Sequence, residues 1–269
     1  MKLCGIMLNM KSKNVFKKYR LKIIWIILIL IIWEAIAKFS SISPLAFPSL
    51  ELIGKALVQS IISGEIINQM IFSLGLILMG LILAVILSVI LSSLSIINPI
   101  IENFVDTCVS IFHPLPGIAL LPLIILWIGT GSKAVVFIII HSVLWPMILN
   151  MIAGFKSIPQ VYKKIGRNYE FNILKIIFKI YIPASLPYII AGLKIGWARA
   201  WRAAISAEMI FGASGGSGGI GWYIFNKRVF MDTPGLFAGL IVIIIIGILI
   251  EDLVFGKVEN STIKKWGIS

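Results

Sequence analysis

Arg199, Arg202 and Glu208 lie within one long apolar run of the chain. Counted from Ala184 at 1.5 Å per helical residue, the arginines fall about 22 to 27 Å along it and Glu208 about 36 Å. An ionisable side chain at such depth in a bilayer costs a few kcal/mol or more unless it is paired or wet. Two readings follow. The arginines line a water-filled pathway, where a cationic wall favours anions, or they form structural ion pairs or snorkel outward. The pathway reading is taken for Arg199 and Arg202, and Glu208 joins them as a candidate with a structural or gating role. Ahead of this run lies a Lys/Arg-rich loop, residues 155–182, with six basic residues against one acid, Glu170.

Other reactive side chains offer little chemistry. The two histidines, His113 and His141, sit in no catalytic motif, and a lone histidine before a proline is read as structural. Cys4 and Cys108 lie far apart and on different sides of a helix boundary, so a disulfide or metal site is unsupported. The stretch GASGGSGGIG, residues 212–221, has the look of a phosphate cradle, but no Lys-Ser or Lys-Thr follows it and no strand precedes it. It is read as an outer or re-entrant loop. A membrane enzyme would need a nucleophile with its base or clustered metal ligands, so no catalytic, cofactor or metal residue is expected here.

The elements that position these groups follow from composition. The chain has 269 residues, 59% of them hydrophobic and 13% charged, with a mean hydropathy of +1.04. Its apolar runs reach the roughly 20 residues that cross a bilayer and do not alternate as barrel strands do. The expected fold is all-α: a polytopic helical membrane protein of about six transmembrane helices, near 23–37, 70–94, 104–128, 134–153, 184–210 and 235–255. The net charge of +13 reports topology rather than nucleic-acid binding. With the N-terminus inside, sixteen Lys/Arg flank the cytoplasmic ends and five the outer ends, so both termini and the 155–182 loop are expected in the cytoplasm.

In chain order, residues 1–22 form a basic cytoplasmic arm that can meet the lipid bilayer. Residues 23–68 hold the first transmembrane helix and an outer loop with a short helix over 50–62. The basic arm and Glu34 argue that the first apolar segment is retained rather than cleaved as a signal peptide. The core spans 69–255, and 256–269 is a cytoplasmic tail. Small residues in 71–94 (Ser73, Gly75, Gly80, Ala84, Ser88, Ser92) permit close helix packing. Pro114, Pro116 and Pro122 within one membrane-depth segment should break or kink the helix and free carbonyls, which is tolerated only against protein or a water-filled cavity. Pro116 and Pro122 are therefore pathway candidates. The 155–182 loop reads as two short helices joined at a turn. Pro159 starts the first, and the second, over about 171–182, sets Lys175 and Lys179 on one face.

The ordered set WEAIA, FPSLELI, PLPGIALLPLIILWIGTG, WPMILNMIAG, IPASLPYIIAGLKIGWARAWRAAISAEMI and GGIGWYI resembles the permease subunit of bacterial ATP-binding cassette importers, in the nitrate, sulfonate and taurine branch. The likeness covers nearly the whole chain. It implies a multi-pass subunit of the bacterial cell membrane, working with a second permease copy, ATP-binding cassette ATPase subunits and an extracytoplasmic substrate-binding protein. ATP and Mg are expected on the ATPase and no cofactor in this chain. In this family the loop before the double proline forms coupling helices that dock on the ATPase. Counting back from Pro183 sets Lys164, Ile165 and Gly166 at the family's Glu-Ala-Ala positions and Glu170 at its glycine. The resemblance thus implies an ATPase-coupling loop including Lys163, Lys164, Gly166, Arg167, Glu170, Lys175, Lys179 and Pro183, with a reversed charge at Lys164. Because glutamate adopts positive φ with difficulty, the turn is expected to shift to Gly166 or Asn168. The alternative function is an ATP-independent secondary transporter or channel.

Overall fold

The computed structural model describes the backbone of residues 2–211 and 218–262, and the side chains from Arg20 onward within them apart from Lys163, Arg167 and Asn260. Among the described residues the regular structure is entirely helical. Three helices carry the centre: α3 (Glu65–Ile97), α6 (Ser132–Lys156) and α10 (Leu186–Phe211). Of these, α6 lies between the other two and is buried along most of its length.

Small residues set these distances. On α3 the buried face runs through Ser73, Ile77, Gly80, Ala84, Ser88 and Ser92, whereas Gly75 points outward. A Cβ on Gly80 would stand 2.5 Å from Ile139 of α6. On the other side of α6, a Cβ on Gly154 would stand 2.8 Å from both Ser185 and Tyr188, and one on Gly192 2.8 Å from Met147. Backbones that close gain dispersion contacts that lipid cannot supply. The buried Ser88 hydroxyl donates to the Ala84 carbonyl at 2.7 Å, so it adds no unsatisfied donor.

Around this core, α1 (Lys2–Phe39) carries the first apolar stretch and α2 (Leu50–Ile62) follows the loop after it. The two are tied by side chains. Trp33 Nε1 donates to the Pro48 carbonyl at 3.0 Å, and Glu34 Oε2 accepts from the Leu50 amide at 2.9 Å, so a carboxylate sits at the α2 N-terminus. Trp33 also stacks on Phe47 and meets the edge of Phe237. On the far flank, α11 (Ile220–Val229) leads into α12 (Thr233–Leu249), which continues through a π-helical turn over Ile250–Phe255 into α13 (Gly256–Ser261).

Among the described residues, three helices are long and apolar enough to cross a membrane unbroken, and two bent pairs pass only together. The first pair replaces the single segment expected over 104–128. Here α4 (Pro99–Phe112) ends at His113, and a 3-10 turn over Gly117–Leu120 leads into α5 (Leu121–Ile128) at 89° to it. Pro114 and Pro116 occupy the corner and Pro122 the first turn of α5, where its missing N–H costs nothing. In the second pair, Ile173–Ala184 meets α10 at 72°. The second handle helix, expected over about 171–182, runs unbroken over Ile173–Ala184 and is made of α8 (Ile173–Ile176), a π-helical turn over Ile177–Tyr181 and α9 (Ile182–Ala184). Prolines 183 and 187 cannot donate there. The Ser185 amide and hydroxyl both donate to the Tyr181 carbonyl, at 3.0 and 2.5 Å.

Candidate functional site

The right-angled corner between α4 and α5 faces α6 and α10 across a cavity of about 480 Å³. The corner supplies Phe112 through Ile118, α6 supplies His141, Ser142 and Trp145, and α10 supplies Arg199, Arg202, Ala203 and Ser206. Proline chemistry shapes two of its walls. Pro114 and Pro116 hold the chain out of helix, and Gly117 lets the turn close on α6, since a Cβ there would lie 2.8 Å from Ser142 Oγ. Pro146, inside α6, removes the i→i−4 donor to the Ser142 carbonyl, on the same wall.

The polar groups around the cavity are unusually idle. Neither Arg199 nor Arg202 forms an ion pair with a described residue. Both ring nitrogens of His141, Nδ1 of His113 and Nε1 of Trp145 are buried with no hydrogen-bond partner among the described residues. His141 is only 8% exposed, held edge-on to Phe112 and Trp145, which stack on each other at 5.2 Å. The structure thus brings Arg199, Arg202 and Pro116 together, whereas Pro122 and Glu208 stand outside the lining. The two histidines read as structural both stand on the cavity wall.

Glu208 lies 2% exposed in a different network. The Ser73 hydroxyl lies 2.7 and 2.8 Å from its two oxygens, and Oε2 accepts from the Gly221 amide at 2.9 Å. Ser73 Oγ in turn accepts from the Ile220 amide at 2.8 Å. Together they satisfy two of the free N–H groups at the start of α11, those of Ile220 and Gly221, where a carboxylate also meets the positive end of the helix dipole. The described end of the glycine-rich stretch is therefore a cradle for this protein's own carboxylate: a Cβ on Gly219 would lie 2.1 Å from Glu208 Oε1 and one on Gly221 2.3 Å from the Ile205 carbonyl. Residues 212–217 lie outside the described set.

At the opposite end of α10, the loop forms a handle. Its first helix, α7 (Gln160–Asn168), begins just after Pro159 and ends with the Phe171 amide donating to the Gly166 carbonyl at 3.0 Å. That six-to-one bond is a Schellman closure, and its left-handed position is Glu170, at φ +51°. The expected shift of the turn to Gly166 or Asn168 therefore does not occur. Gly166 stays inside α7, where a Cβ would press to 2.7 Å from Ile180 Cδ1. Asn172 caps the next turn by accepting from the Lys175 amide at 2.9 Å. Lys164, Glu170, Lys175, Lys179 and Pro183 are all exposed, and Lys179 lies 5.7 Å over the Phe171 ring. Val161, Tyr162, Tyr169, Ile173, Leu174 and Phe178 are exposed beside them, an apolar surface laced with cations. The side chains of Lys163 and Arg167 lie outside the described set.

A family model described as the binding-protein-dependent transport system inner membrane component matches residues 89–264, from the last third of α3 to the C-terminal tail. The chain belongs to this family. It is the transmembrane subunit of an ATP-binding cassette importer. The permease is 25% identical over 228 residues to the taurine transport system permease protein of Escherichia coli (83% of this chain, 82% of the relative). It is 26% identical over 238 residues to a Bacillus subtilis permease protein named for aliphatic sulfonates (88% and 84%). A nitrate import permease protein of Leptolyngbya laminosa is 30% identical over 149 residues (55% and 52%).

Sequence reasoning missed several residues of this permease. Ser142 was signalled only by Pro146 four positions on. Ser73 was read as a packing residue, and its partner Glu208 lies far along the chain. Glu34 served only to argue about the first segment, although it accepts from the Leu50 amide at the start of α2.

Proposed function

We propose that this permease carries small oxyanions inward across the bacterial cell membrane as one half of a homodimer. In this reading both termini and the handle lie in the cytoplasm, an external binding protein delivers the solute, and ATP and Mg act on partner ATPase subunits. Lys163, Lys164, Gly166, Arg167, Glu170, Lys175, Lys179 and Pro183 belong to the ATPase contact. Arg199, Arg202 and Pro116 belong to the pathway.

The observation that supports this most is mechanical continuity. The handle passes through the Tyr181–Ser185 hydrogen bonds directly into α10, and α10 carries both cavity arginines. A push on the handle thereby crosses the 72° joint at Ser185 and reaches the cavity wall along α10. ATP-driven closure can shift the helices between two arrangements only if the ATPase binds them with different affinity, and the handle is where that difference acts. The names of the relatives support an oxyanion, and so does the pair of arginines that form no ion pair with a described residue.

The test is uptake into proteoliposomes holding the permease, its ATPase and its binding protein, with nitrate and alkyl sulfonates as solutes. The expected result is uptake that requires ATP inside and drops with Arg202→Gln. Uptake at the same rate without ATP would instead make the chain a self-sufficient carrier.

A further inference from the structure

We propose that Glu208 and Ser73 are positioning residues for binding-protein-dependent import: they lock α11 to the end of α10, so that a binding protein seated on the tip of α11 and an ATPase seated on the handle act on one moving body. This rests on the reading of the chain as an importer with both partners and goes beyond it by naming the residues that join their effects.

The lock follows from what surrounds the carboxylate. Glu208 lies about 33 Å along α10 from Leu186, at the end away from the handle. It accepts from the Gly221 amide at 2.9 Å and from the Ser73 hydroxyl at 2.7 Å, and the same hydroxyl accepts from the Ile220 amide at 2.8 Å. One carboxylate thus joins α10, α3 and the first turn of α11. All four residues are buried. Sliding α11 off α10 would leave a carboxylate, a hydroxyl and two amides without partners in that dry site, so the three helices move together.

From this joint α11 runs to an exposed tip. The hydroxyls of buried Tyr223 and of Ser60 on α2 lie 2.8 Å apart, and Lys227 lies 3.4 Å from Glu65 of α3 and 3.3 Å from Asp232. The Asp232 amide donates to the Lys227 carbonyl at 2.8 Å, which closes the turn with Met231 at φ +58°. That closed turn holds Val229, Phe230 and Met231 out of the bundle, 58%, 74% and 67% exposed, next to exposed Arg228. The apolar run of α12 begins only beyond Asp232, so the tip stands among charges rather than at lipid depth. A fixed apolar tip with a polar rim is the form of a protein contact. The family description supplies the partner, since transport by this family depends on a binding protein.

The test measures the link between the two partners. The permease is assembled with its ATPase in nanodiscs, and the Kd of its binding protein is read by biolayer interferometry with and without AMP-PNP. The ratio of the two Kd values is the coupling, and in wild type it should be about tenfold or more. Glu208→Ala should bring the two values to within about twofold of each other. Ser73→Ala, which loses only a hydroxyl, should do the same and supplies the readout if the first variant fails to elute as folded protein. Glu208→Gln keeps an acceptor for the Gly221 amide and should retain most of the ratio. Phe230→Ala should weaken binding by a similar factor in both nucleotide states and leave the ratio intact. A ratio preserved in Glu208→Ala and Ser73→Ala overturns the lock, even if both affinities fall together, as a role in folding alone would have it. Glu208→Gln as damaging as Glu208→Ala overturns the acceptor role, and Phe230→Ala without effect in either state, as for a tip resting in lipid, overturns the docking surface. Each of these leaves the importer reading standing. Equal Kd values in wild type overturn that reading and the lock together.

Discussion

Alanine at position 219 tests whether the glycine-rich end of the loop exists to admit Glu208. Gly219 has φ −90° and ψ −175°, ordinary extended backbone that alanine adopts without strain. The cost is therefore steric alone. The added methyl would lie 2.1 Å from Oε1, 2.2 Å from Cδ and 2.3 Å from Oε2 of Glu208, in the middle of the carboxylate. The carboxylate must move by more than an ångström to restore contact distance, and then it cannot keep the 2.9 Å bond from Gly221 and the 2.7 Å bond from Ser73. Hydrogen bonds to a charged group contribute about 1.5 to 3 kcal/mol each, so with partial relaxation the expected loss is about 3 kcal/mol. Glu208→Ala removes the same bonds and also the clash, so Gly219→Ala in that background should cost under about 1 kcal/mol. The coupling between the two substitutions is then about 2 kcal/mol or more. Reversible unfolding of the four proteins in mixed micelles with increasing SDS measures it. Additivity within about 0.5 kcal/mol would refute the claim that the two residues share one space.

Three further outcomes follow from single groups. Glu170→Gly relieves a left-handed glutamate at the end of α7 and should stabilise the handle by about 1 kcal/mol, seen as slower hydrogen exchange at the Tyr169 and Phe171 amides; unchanged exchange would contradict the strained turn. Glu34→Ala removes the acceptor of the Leu50 amide while the Ser49 cap stays in place, so the Leu50 amide should exchange faster than in wild type; unchanged exchange would contradict the contact. Burial alone would lower the Lys227 ammonium, but Tyr223, Glu65 and Asp232 outweigh it and hold its pKa above the ordinary value. Because the folded-state value is the raised one, its contribution should be full below the ordinary lysine pKa of about 10.4 and fade as pH rises through the raised value. The stability difference between wild type and Lys227→Met should accordingly be flat from neutral pH to that point, and a decline near neutrality would contradict the assignment.

Local signals carried much of this structure. The hydrophobic length of each run, the proline positions and the charge count around residues 155–182 foretold the helical bundle, α2 over Leu50–Ile62 and a handle of two short helices. Each of those rests on neighbours in sequence. The 89° corner was legible only as a break, because three prolines say that a helix must fail and not which way the chain then turns. Likewise the arginines within an apolar run announced a polar cavity, but His141 and Ser142 joined it through packing of α6 against the corner, which no periodicity records. Glu208 was legible as costly and not as satisfied, since its donors come from Ser73 and from the start of another helix. Glu170 shows the converse case. Its propensity argued against a left-handed turn, and the closure of α7 against Ile176 and Ile180 prevailed over that cost.

The measurement that bears most directly on the account is co-purification of the permease with its ATPase, comparing wild type with a deletion of residues 171–179, each checked for a folded membrane domain by size-exclusion chromatography. The account predicts that the ATPase accompanies wild type and is lost from the deletion while the bundle elutes unchanged. An ATPase retained by the deletion, or absent from both, would contradict the claim that energy enters through the handle.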